Sequence, residues 1–332
     1  FRYDLQRKFL ASNLPKIETP MAVPVRNQIG VIVSRNAFNQ DPGPREGIFL
    51  SANPGLGKST LVREIAADFD QDIRGLAQMM PSKFGRNDRW IPVVWISVPS
   101  KVSIISLCRR ILYFFGYEMR NGARQAELEQ QVLTLIRDCG VQLIVFDDIT
   151  RLNMNRDPDK DVDDWIRHLM EASVTIIGIG VDIETSGLAQ APDRVATEAR
   201  AALKQNRTRF SMHALARFTY DTDAEISDWV AHLMAIENSL PLLDKTDGML
   251  SGDTADLLFA RSNGVIGTLH NLVSKACLGA IGRPKSRGGE TLTETDMKAV
   301  VLDIEAEESY RASRALPNPP APMRSYRPAR LK

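Results

Sequence analysis

The chain has 332 residues, of which 43% are hydrophobic and 25% are charged, as in ordinary soluble globular proteins, and it is long enough for two packed units. No apolar run approaches the roughly 20 residues that a membrane-spanning helix needs, so we expect no membrane partner. The formal net charge of +1 excludes a strongly basic protein but leaves room for a local basic surface that binds DNA.

The opening residues FRYDLQRKFL have neither the apolar core of a signal peptide nor the acid-poor character of a transit peptide. The three cysteines, Cys108, Cys139 and Cys277, lie far apart and form no CxxC pair. This spacing favours reduced cysteines on apolar helix faces over a disulfide or a metal site. We therefore expect a cytoplasmic protein.

The sequence predicts four regions. Residues 1–45 have a short charged start followed by prolines and turn formers, and are predicted to form an N-terminal arm. Residues 46–219 alternate β-branched runs with amphipathic helices, which predicts an α/β domain with a parallel central sheet flanked by helices. Residues 220–312 carry only helical periodicity and predict a small helical domain, whereas 313–332 predict a Pro-rich basic tail.

Within these regions, strands are predicted from Gly47 onward and near 91–98, 141–150, 173–180 and 211–218. The helical domain is predicted to contain four helices. The last of these is expected to be a single helix that begins after a Thr cap and ends near residue 311.

The stretch SANPGLGKSTL between the first strand and the following helix fits the pattern [AG]-x-x-x-x-G-K-[ST] of a phosphate-binding loop. Its glycines let backbone N–H groups converge on phosphate oxygens, its lysine reaches the β- and γ-phosphates, and its serine is a ligand for Mg²⁺. The residues expected to hold the nucleotide are Asn53, Pro54, Gly55, Leu56, Gly57, Lys58, Ser59 and Thr60.

A second acidic motif, LIVFDD, places Asp147 at the end of a buried strand, where its carboxylate can hold Mg²⁺ or a water on it. Asp148 follows at the position where a glutamate normally polarises the attacking water. Aspartate is one methylene shorter, so we expect weak activation of that water. The alternative is that the two acidic residues only form a turn or a helix cap.

Two further basic groups are candidates for functional contacts. Arg207 and Arg209 in KQNRTRF precede a predicted strand, and either could reach the γ-phosphate held by a neighbouring subunit. Lys101, Arg120 and Arg124 lie in or beside predicted loops and could contact DNA phosphates without sequence preference. For both groups the alternative is a solvated basic surface.

Together, the phosphate-binding loop, LIVFDD, the strand TIIGIG, the arginine pair and the helical lid resemble an AAA+ ATPase. Within that class the segments RILYFFGYEMRNG, LEQQVLTLIRDCGVQLIVFDDITRL, NSLPLL and RSNGVIGTLHNLVSKACLGAI are similar to the TniB/TnsC family of transposition regulators, relatives of the phage Mu B protein. The resemblance covers residues 45–305.

The resemblance implies an ATP-dependent protein that assembles on double-stranded DNA as a ring or as a helical filament with a hexameric turn. Such proteins mark a target site, contact a transposase and a TniQ-like targeting adaptor, and disassemble on hydrolysis. By position, Asp148 would take the place of the catalytic glutamate, and Lys101 would touch the DNA backbone. ATP and Mg²⁺ would be held by Lys58, Ser59 and Asp147, with Arg207 or Arg209 acting in trans.

This sequence departs from the family pattern at three places, which together predict slow hydrolysis. It has DDITRL after the strand, Gly267 where AAA+ lids often carry an arginine, and no polar side chain at Ile179–Gly180, although Asp182 is close. Other functions compatible with the motifs are a helicase loader or replication initiator, a nucleotide-gated signalling or defence switch that binds no DNA, and, as the weakest alternative, a P-loop kinase for a small metabolite.

Overall fold

A computed structural model describes residues 2–39, 41–80, 89–100, 102–117, 122–152, 157–186, 188 and 208–315. Contacts divide the chain into two compact units. We call residues 22–54 and 58–215 the sheet unit, and residues 1–21, 55–57 and those from 216 onward the helical unit.

The sheet unit is built on five parallel strands in the order β2-β3-β4-β1-β5. Their register places Ser51 beside Gly180 and Ala214, and Ser97 beside Asp147. All five strands therefore end at the same edge of the sheet, where ligand sites of open α/β sheets form. The strands are β1 (Gly47–Ser51), β2 (Val93–Ser97), β3 (Leu143–Asp147), β4 (Thr175–Gly180) and β5 (Phe210–Ala214).

The first two helices precede β1, and the others alternate with the strands or follow them. They are α1 (Arg2–Ser12), α2 (Ala22–Phe38), α3 (Lys58–Met79), α4 (Ile104–Phe114), α5 (Gln125–Asp138), α6 (Asp157–Glu171), α7 (Asp223–Ser239), α8 (Ala255–Ser262), α9 (Ile266–Ala280), α10 (Glu294–Ala299) and α11 (Ile304–Ala315). Short 3-10 turns occupy Ile149–Arg151 and Lys285–Arg287.

The central strands explain why the sheet is parallel. In β3 the side chains from Leu143 to Phe146 are completely buried, and β4 is buried along its whole length. Continuous apolar strands of this kind need helices on both faces of the sheet. The carboxylate of Asp147 follows this run as the first partly exposed side chain of β3.

The structure differs from the predicted arm at the N-terminus. Val25, Ile29 and Val33 are buried at four-residue spacing on α2, which packs on α3 in the sheet unit. Pro24 is accommodated because it lies in the first turn, where a backbone N–H has no helical partner. Residues 2–12 form α1, which packs on α9 in the helical unit. Contacts divide the chain between residues 215 and 216. The domain boundary predicted after residue 219 stays a prediction.

The last predicted helix is two helices, α10 and α11. Arg261 on α8 is 3% exposed, and its guanidinium donates to the backbone oxygens of Met297, Lys298 and Val300 at 3.0, 3.2 and 2.8 Å. The side chain of Asp303 then caps α11 by accepting from the Ala306 N–H at 2.9 Å. The buried arginine thus takes the carbonyl groups that a continuous helix would use.

Among the residues that the structure describes, no helix is both long and apolar enough to cross a membrane. Cys108, Cys139 and Cys277 are buried free thiols. Burial raises the pKa of Cys108 to about 12 and that of Cys277 to about 11, so both stay protonated and unreactive near neutral pH.

Candidate functional site

The phosphate-binding loop connects the end of β1 to the start of α3, as its motif requires. Gly55 and Gly57 have φ values of +77° and +84°, a left-handed conformation that residues with a Cβ seldom adopt. Nothing lies within 4 Å of a Cβ built on Gly57, so the loop keeps open space at this turn. Asn53 and Pro54 are exposed, Leu56 is buried, and Ser59 and Thr60 in the first turn of α3 are half-buried.

Lys58 is the first residue of α3, and its side chain folds back over the loop. Its ammonium donates to the backbone oxygens of Ala52 at 2.6 Å and Asn53 at 2.9 Å. Burial lowers the pKa of Lys58, and the carboxylates of Asp147, Asp148 and Asp182 oppose that shift. The amine is therefore a positive group placed among loop carbonyls and acidic side chains.

Ser59 and Asp147 are brought together although 88 residues separate them. The Ser59 hydroxyl donates to Oδ1 of Asp147 at 3.1 Å, and the same oxygen accepts from the Asp148 N–H at 3.1 Å. A hydroxyl and a carboxylate form the kind of oxygen ligand set that Mg²⁺ prefers. These residues fit a magnesium ion held beside a phosphate.

Asp148 lies directly after β3, with φ of +61°, an uncommon conformation for a residue that carries a Cβ. Its Oδ2 is 2.8 Å from NH2 of Arg151, the last residue of the 3-10 turn Ile149–Arg151. The other terminal nitrogen of Arg151 donates to the backbone oxygen of Val98 at 2.6 Å. Asp148 is thus near the loop, as its position predicts, but its carboxylate is engaged by an arginine that the sequence analysis did not single out.

A further carboxylate at this edge of the sheet, that of Glu184, was not predicted from the sequence. Oε2 of Glu184 accepts a hydrogen bond from the hydroxyl of Ser51 at 2.6 Å, at the end of β1. Ser51 in turn accepts from the Ile183 N–H at 3.2 Å. Asp182 has φ of +49° in the same turn after β4. The spacing from Asp148 to Arg151 was a local signal for an ion pair, whereas no local signal points to the contact between Ser51 and Glu184.

Arg209 lies where β5 begins, at the edge of the sheet opposite the one that carries the phosphate-binding loop. It directly precedes Phe210, which pairs with Gly47 at the start of β1, so the length of a strand separates its backbone from Ser51. Its guanidinium lies 3.7 Å from Oε1 of Glu171. This position keeps Arg209 from the phosphate-binding loop of its own chain. Arg207 is outside the residues that the structure describes.

The predicted DNA-contacting residues are mostly outside the described residues, since Lys101 and Arg120 are not among them. Arg124 is exposed and directly precedes α5. Its backbone N–H donates to Oε2 of Glu127 at 3.3 Å, which caps the start of that helix.

Gly267, at the start of α9, contacts the loop residues that group with the helical unit. Its N–H donates to the backbone oxygen of Gly55 at 2.8 Å. A Cβ on Gly267 would lie only 3.0 Å from that oxygen and 3.1 Å from the Gly55 Cα. The two backbones approach so closely that a residue with a side chain would not fit at position 267. This explains why the position holds glycine and not the arginine that the sequence comparison with AAA+ lids raised.

Residues 35–220 match the family model described as "Bacterial TniB protein". A search of curated protein sequences found no match. Among solved structures, the chain is similar to the Aeropyrum pernix ORC1 protein in complex with DNA, with a TM-score of 0.58, 11% identity and coverage of 91% of this chain and 70% of that chain. The Aeropyrum pernix ORC2 protein in ADPNP–ADP complexes is similar with a TM-score of 0.57 and 12% identity, over 86% of this chain and 68% of that chain. Cdc6p from Pyrobaculum aerophilum is similar with a TM-score of 0.55 and 14% identity, over 85% of this chain and 66% of that chain.

At 11–14% identity these likenesses concern the fold. The parallel five-stranded sheet with flanking helices and the helical C-terminal region are those of AAA+ ATPases, so the predicted fold class is confirmed.

Proposed function

Because the chain belongs to the TniB family, we propose that it is an ATP-dependent regulator of transposition that oligomerises on double-stranded DNA. In this proposal it marks the target site, recruits and activates a transposase together with a TniQ-like adaptor, and leaves the DNA after ATP hydrolysis. The observation that supports the proposal is the contact between Ser59 and Asp147, because it brings together a hydroxyl and a carboxylate that would suit Mg²⁺ beside the phosphate-binding loop of a TniB chain.

ATP is the nucleotide in this proposal. The backbone N–H groups of Asn53 and of residues 55–60, which include the start of α3, bind its phosphates, and Pro54 shapes the loop between them. Lys58 exchanges the loop carbonyls for the β- and γ-phosphates. Ser59 and Asp147, whose oxygens lie 3.1 Å apart, would hold the metal ion. When bound, Mg²⁺ neutralises charge on the phosphate oxygens during phosphoryl transfer. Asp148 orients the attacking water, and its short side chain makes turnover slow.

Assembly would complete the site from outside the chain. Arg209 lies at the edge of the sheet opposite its own loop, and we propose that its guanidinium exchanges Glu171, now 3.7 Å away, for a nucleotide held by a neighbouring subunit. Arg207 is the other candidate for the same role. An arginine that reaches the γ-phosphate in trans links hydrolysis to the assembled state, because an isolated subunit lacks it.

DNA binding would use phosphate contacts and carry no sequence preference. A net charge of +1 means that binding must come from a local group of basic residues, for which we propose Lys101, Arg120 and Arg124. The ORC1 protein that shares this fold was solved in complex with DNA. This role predicts that affinity for duplex DNA falls steeply as salt rises.

Negative-stain electron microscopy of the protein with duplex DNA tests the proposal. At low salt, we expect rings or filaments on DNA with a non-hydrolysable ATP analogue and none without nucleotide. The matched control is Lys58→Ala under the same conditions, which should form neither. Absence of any DNA-bound assembly in the wild type with the analogue at low salt would contradict the proposed function.

A further inference from the structure

A groove lies between α2 and α3 on the surface of the sheet unit. Its volume is about 340 Å³, and the apolar residues that line it are Val33, Phe38, Ile65, Phe69, Ile73 and Leu76. Gly30 on α2 also lines the groove, and apart from the backbone of its own helix nothing lies within 4 Å of a Cβ built on it. Phe38 is 57% exposed, so part of the apolar lining is open to a partner. We call this surface the α2–α3 groove.

The rim of the α2–α3 groove is acidic. Asp68 and Asp72 line it from α3, one helical turn apart, and both are exposed. Arg26 lines it from α2, lies 3.1 Å from Asp68 and also pairs with Glu64. Three carboxylates and one guanidinium leave an excess of two negative charges. An occupant that suits this groove is therefore apolar in its middle and positively charged at its border.

The outer face of α4 carries that combination of side chains. The exposed residues on this face and just after the helix are Arg109, Arg110, Tyr113, Phe114 and Tyr117, which we call the α4 stripe. Tyr113 is 77% exposed, the largest fraction of the three aromatic side chains. Aromatic residues and arginines are enriched in protein interfaces, where they supply much of the binding energy. The composition of the α4 stripe therefore indicates a surface that another protein covers.

The aromatic residues of the α4 stripe are held in place by the fold. The rings of Phe114 and Phe115 meet edge to face with their centroids 5.5 Å apart, and Phe115 packs against the core of the sheet unit. The helix ends at Phe114, and the Tyr117 N–H donates to the backbone oxygen of Leu112 at 3.0 Å, which keeps Tyr117 beside the last turn. Residues fixed in this way lose less conformational entropy when a partner covers them.

The α2–α3 groove and the α4 stripe lie on opposite faces of the sheet. The core beneath α4 contains Ile144 and Phe146 of β3 and, among the described residues, none from α2 or α3. Leu143 and Val145 alternate with those two residues along β3, so they point to the other face. That face is covered by α2, which packs on β4 as well as on α3. One copy of the chain therefore offers its groove on one side and its stripe on the other.

We propose that the α4 stripe of one copy of this chain binds in the α2–α3 groove of a second copy. The aromatic rings cover the apolar lining, and Arg109 and Arg110 supply two positive charges to the rim that has two negative charges in excess. Because the contact joins two different surfaces, it repeats from copy to copy and forms a ring or a filament, not a closed two-fold dimer. The inference rests on the proposed function, which supplies the assembly, and it adds the surfaces through which the copies meet.

Two variants each remove one of the two surfaces. Gly30→Leu fills the α2–α3 groove, and it keeps the helix intact because leucine is a better helix former than glycine. Tyr113→Ala removes the most exposed ring of the α4 stripe. The matched control is Gly279→Leu, since Gly279 is a glycine inside α9 whose Cβ would also meet open space, but in the helical unit.

Sedimentation velocity with a non-hydrolysable ATP analogue and without DNA measures the contact. We expect the wild type and Gly279→Leu to self-associate over a concentration series. In Gly30→Leu and in Tyr113→Ala the dissociation constant between copies should rise at least about tenfold, the effect of losing a central interface residue. Affinity for a fluorescent ATP analogue and the melting temperature should stay at wild-type values in all three variants.

An equimolar mixture of the two variants tests the head-to-tail arrangement. Gly30→Leu keeps its stripe, and Tyr113→Ala keeps its groove, so one copy of each can bind the other. The resulting pair has used both intact surfaces. We therefore expect the mixture to form heterodimers and no longer species, whereas each variant alone stays monomeric at the same concentration.

The outcomes separate this inference from the proposed function. Self-association of Gly30→Leu and Tyr113→Ala that equals that of the wild type would overturn the inference, as would a mixture without heterodimers or a wild type that stays monomeric throughout the series. Each of these results leaves the proposed function standing if electron microscopy shows nucleotide-dependent assemblies of the wild type on duplex DNA. If microscopy shows none, the proposed function fails, whereas self-association in free solution still decides whether the two surfaces meet.

Discussion

The two units of this chain use charged residues in opposite ways. In the helical unit, Arg7 and Glu290 are 4% and 5% exposed, and each oxygen of the carboxylate accepts from the Arg7 guanidinium and from one backbone N–H. At the sheet edge, by contrast, Asp148 and Arg151 are about half exposed and are joined by a contact of 2.8 Å between Oδ2 and NH2. The comparison suggests that buried, saturated charges stabilise one structure, whereas exposed, partly matched charges are free to change partners.

Glu290→Ala tests the buried side of this comparison and should have the largest effect. Its carboxylate accepts from Arg7, from the Gly282 N–H at 2.8 Å and from the Leu243 N–H at 3.2 Å. Removal leaves the buried Arg7 guanidinium with the partly exposed Asp4, at 2.5 Å, as its ionic partner. The expected loss of unfolding free energy is therefore at the lower end of the range for a broken buried pair, about 3 kcal/mol. Urea denaturation measures the loss.

Glu294→Ala is the matched control for that experiment. Glu294 pairs with Lys298 at 2.6 Å, but its side chain is 61% exposed. Its removal should change the free energy of unfolding by less than about 0.5 kcal/mol. Equal losses in the two variants would refute the distinction between buried and exposed charges in the helical unit.

Lys58→Ala should produce the next largest effect, now on activity. Loss of the positive group that reaches the phosphates should reduce ATP turnover at least about 100-fold. Stability should remain at the wild-type value, because the ammonium contacts only the loop oxygens of Ala52 and Asn53. Lys245→Ala is the control, since that lysine also donates to a backbone oxygen, Asn238 at 3.0 Å, away from the loop. Turnover within tenfold of wild type in Lys58→Ala would argue against the assigned role.

Lowering the pH probes a third buried group. His232 is 4% exposed, and burial, aided by His270, lowers its pKa to about 4. The unfolded chain, with an ordinary histidine pKa of about 6.5, binds the proton more readily, so stability is lost as the pH falls below 6.5. Between pH 7 and pH 5 the loss from this residue is about 2 kcal/mol. His232→Leu should show a correspondingly flatter dependence of unfolding free energy on pH, and an unchanged slope would contradict the prediction.

The buried pair of Arg7 and Glu290 affects stability over a lower pH range than His232 does. Hydrogen bonds from Arg7 hold the pKa of Glu290 at about 2, below the ordinary glutamate value. Its contribution to stability is therefore complete above about pH 4.5 and disappears as the pH falls from there toward 2. The two windows do not coincide, so a pH titration of wild type, Glu290→Ala and His232→Leu separates the two residues.

The parts of the site that follow from local spacing could be predicted from the sequence. The loop motif gives Lys58 and Ser59, and a carboxylate after an apolar run gives Asp147. The rule that parallel strands end at one edge brings these residues together. The contact of Arg151 with Val98 crosses 53 residues, and that of Arg7 with Glu290 crosses 283. No spacing rule reaches that far, so these contacts appear only in the folded chain.

The predicted helix boundaries are wrong where a tertiary contact outweighs the local sequence pattern. The segment after Thr293 has continuous helical periodicity, yet Arg261 from α8 takes its carbonyl oxygens and divides it into α10 and α11. Prolines and turn formers predicted an N-terminal arm, whereas the structure forms α2, which buries Val25, Ile29 and Val33 at four-residue spacing. In both cases packing decided the structure against a weaker local preference.

Asp148→Glu should have the smallest effect and sharpens the exposed side of the comparison. The added methylene would bring the carboxylate nearer to the attacking water, so we expect turnover to rise about threefold to tenfold. The double variant Asp148→Glu with Arg151→Gln separates the effect of the longer side chain from that of the contact with Arg151. If reach alone limits the rate, the double variant equals Asp148→Glu. If the restraint by Arg151 contributes independently, the double variant is faster than either single variant, and no increase in any of the three would show that Asp148 does not limit hydrolysis.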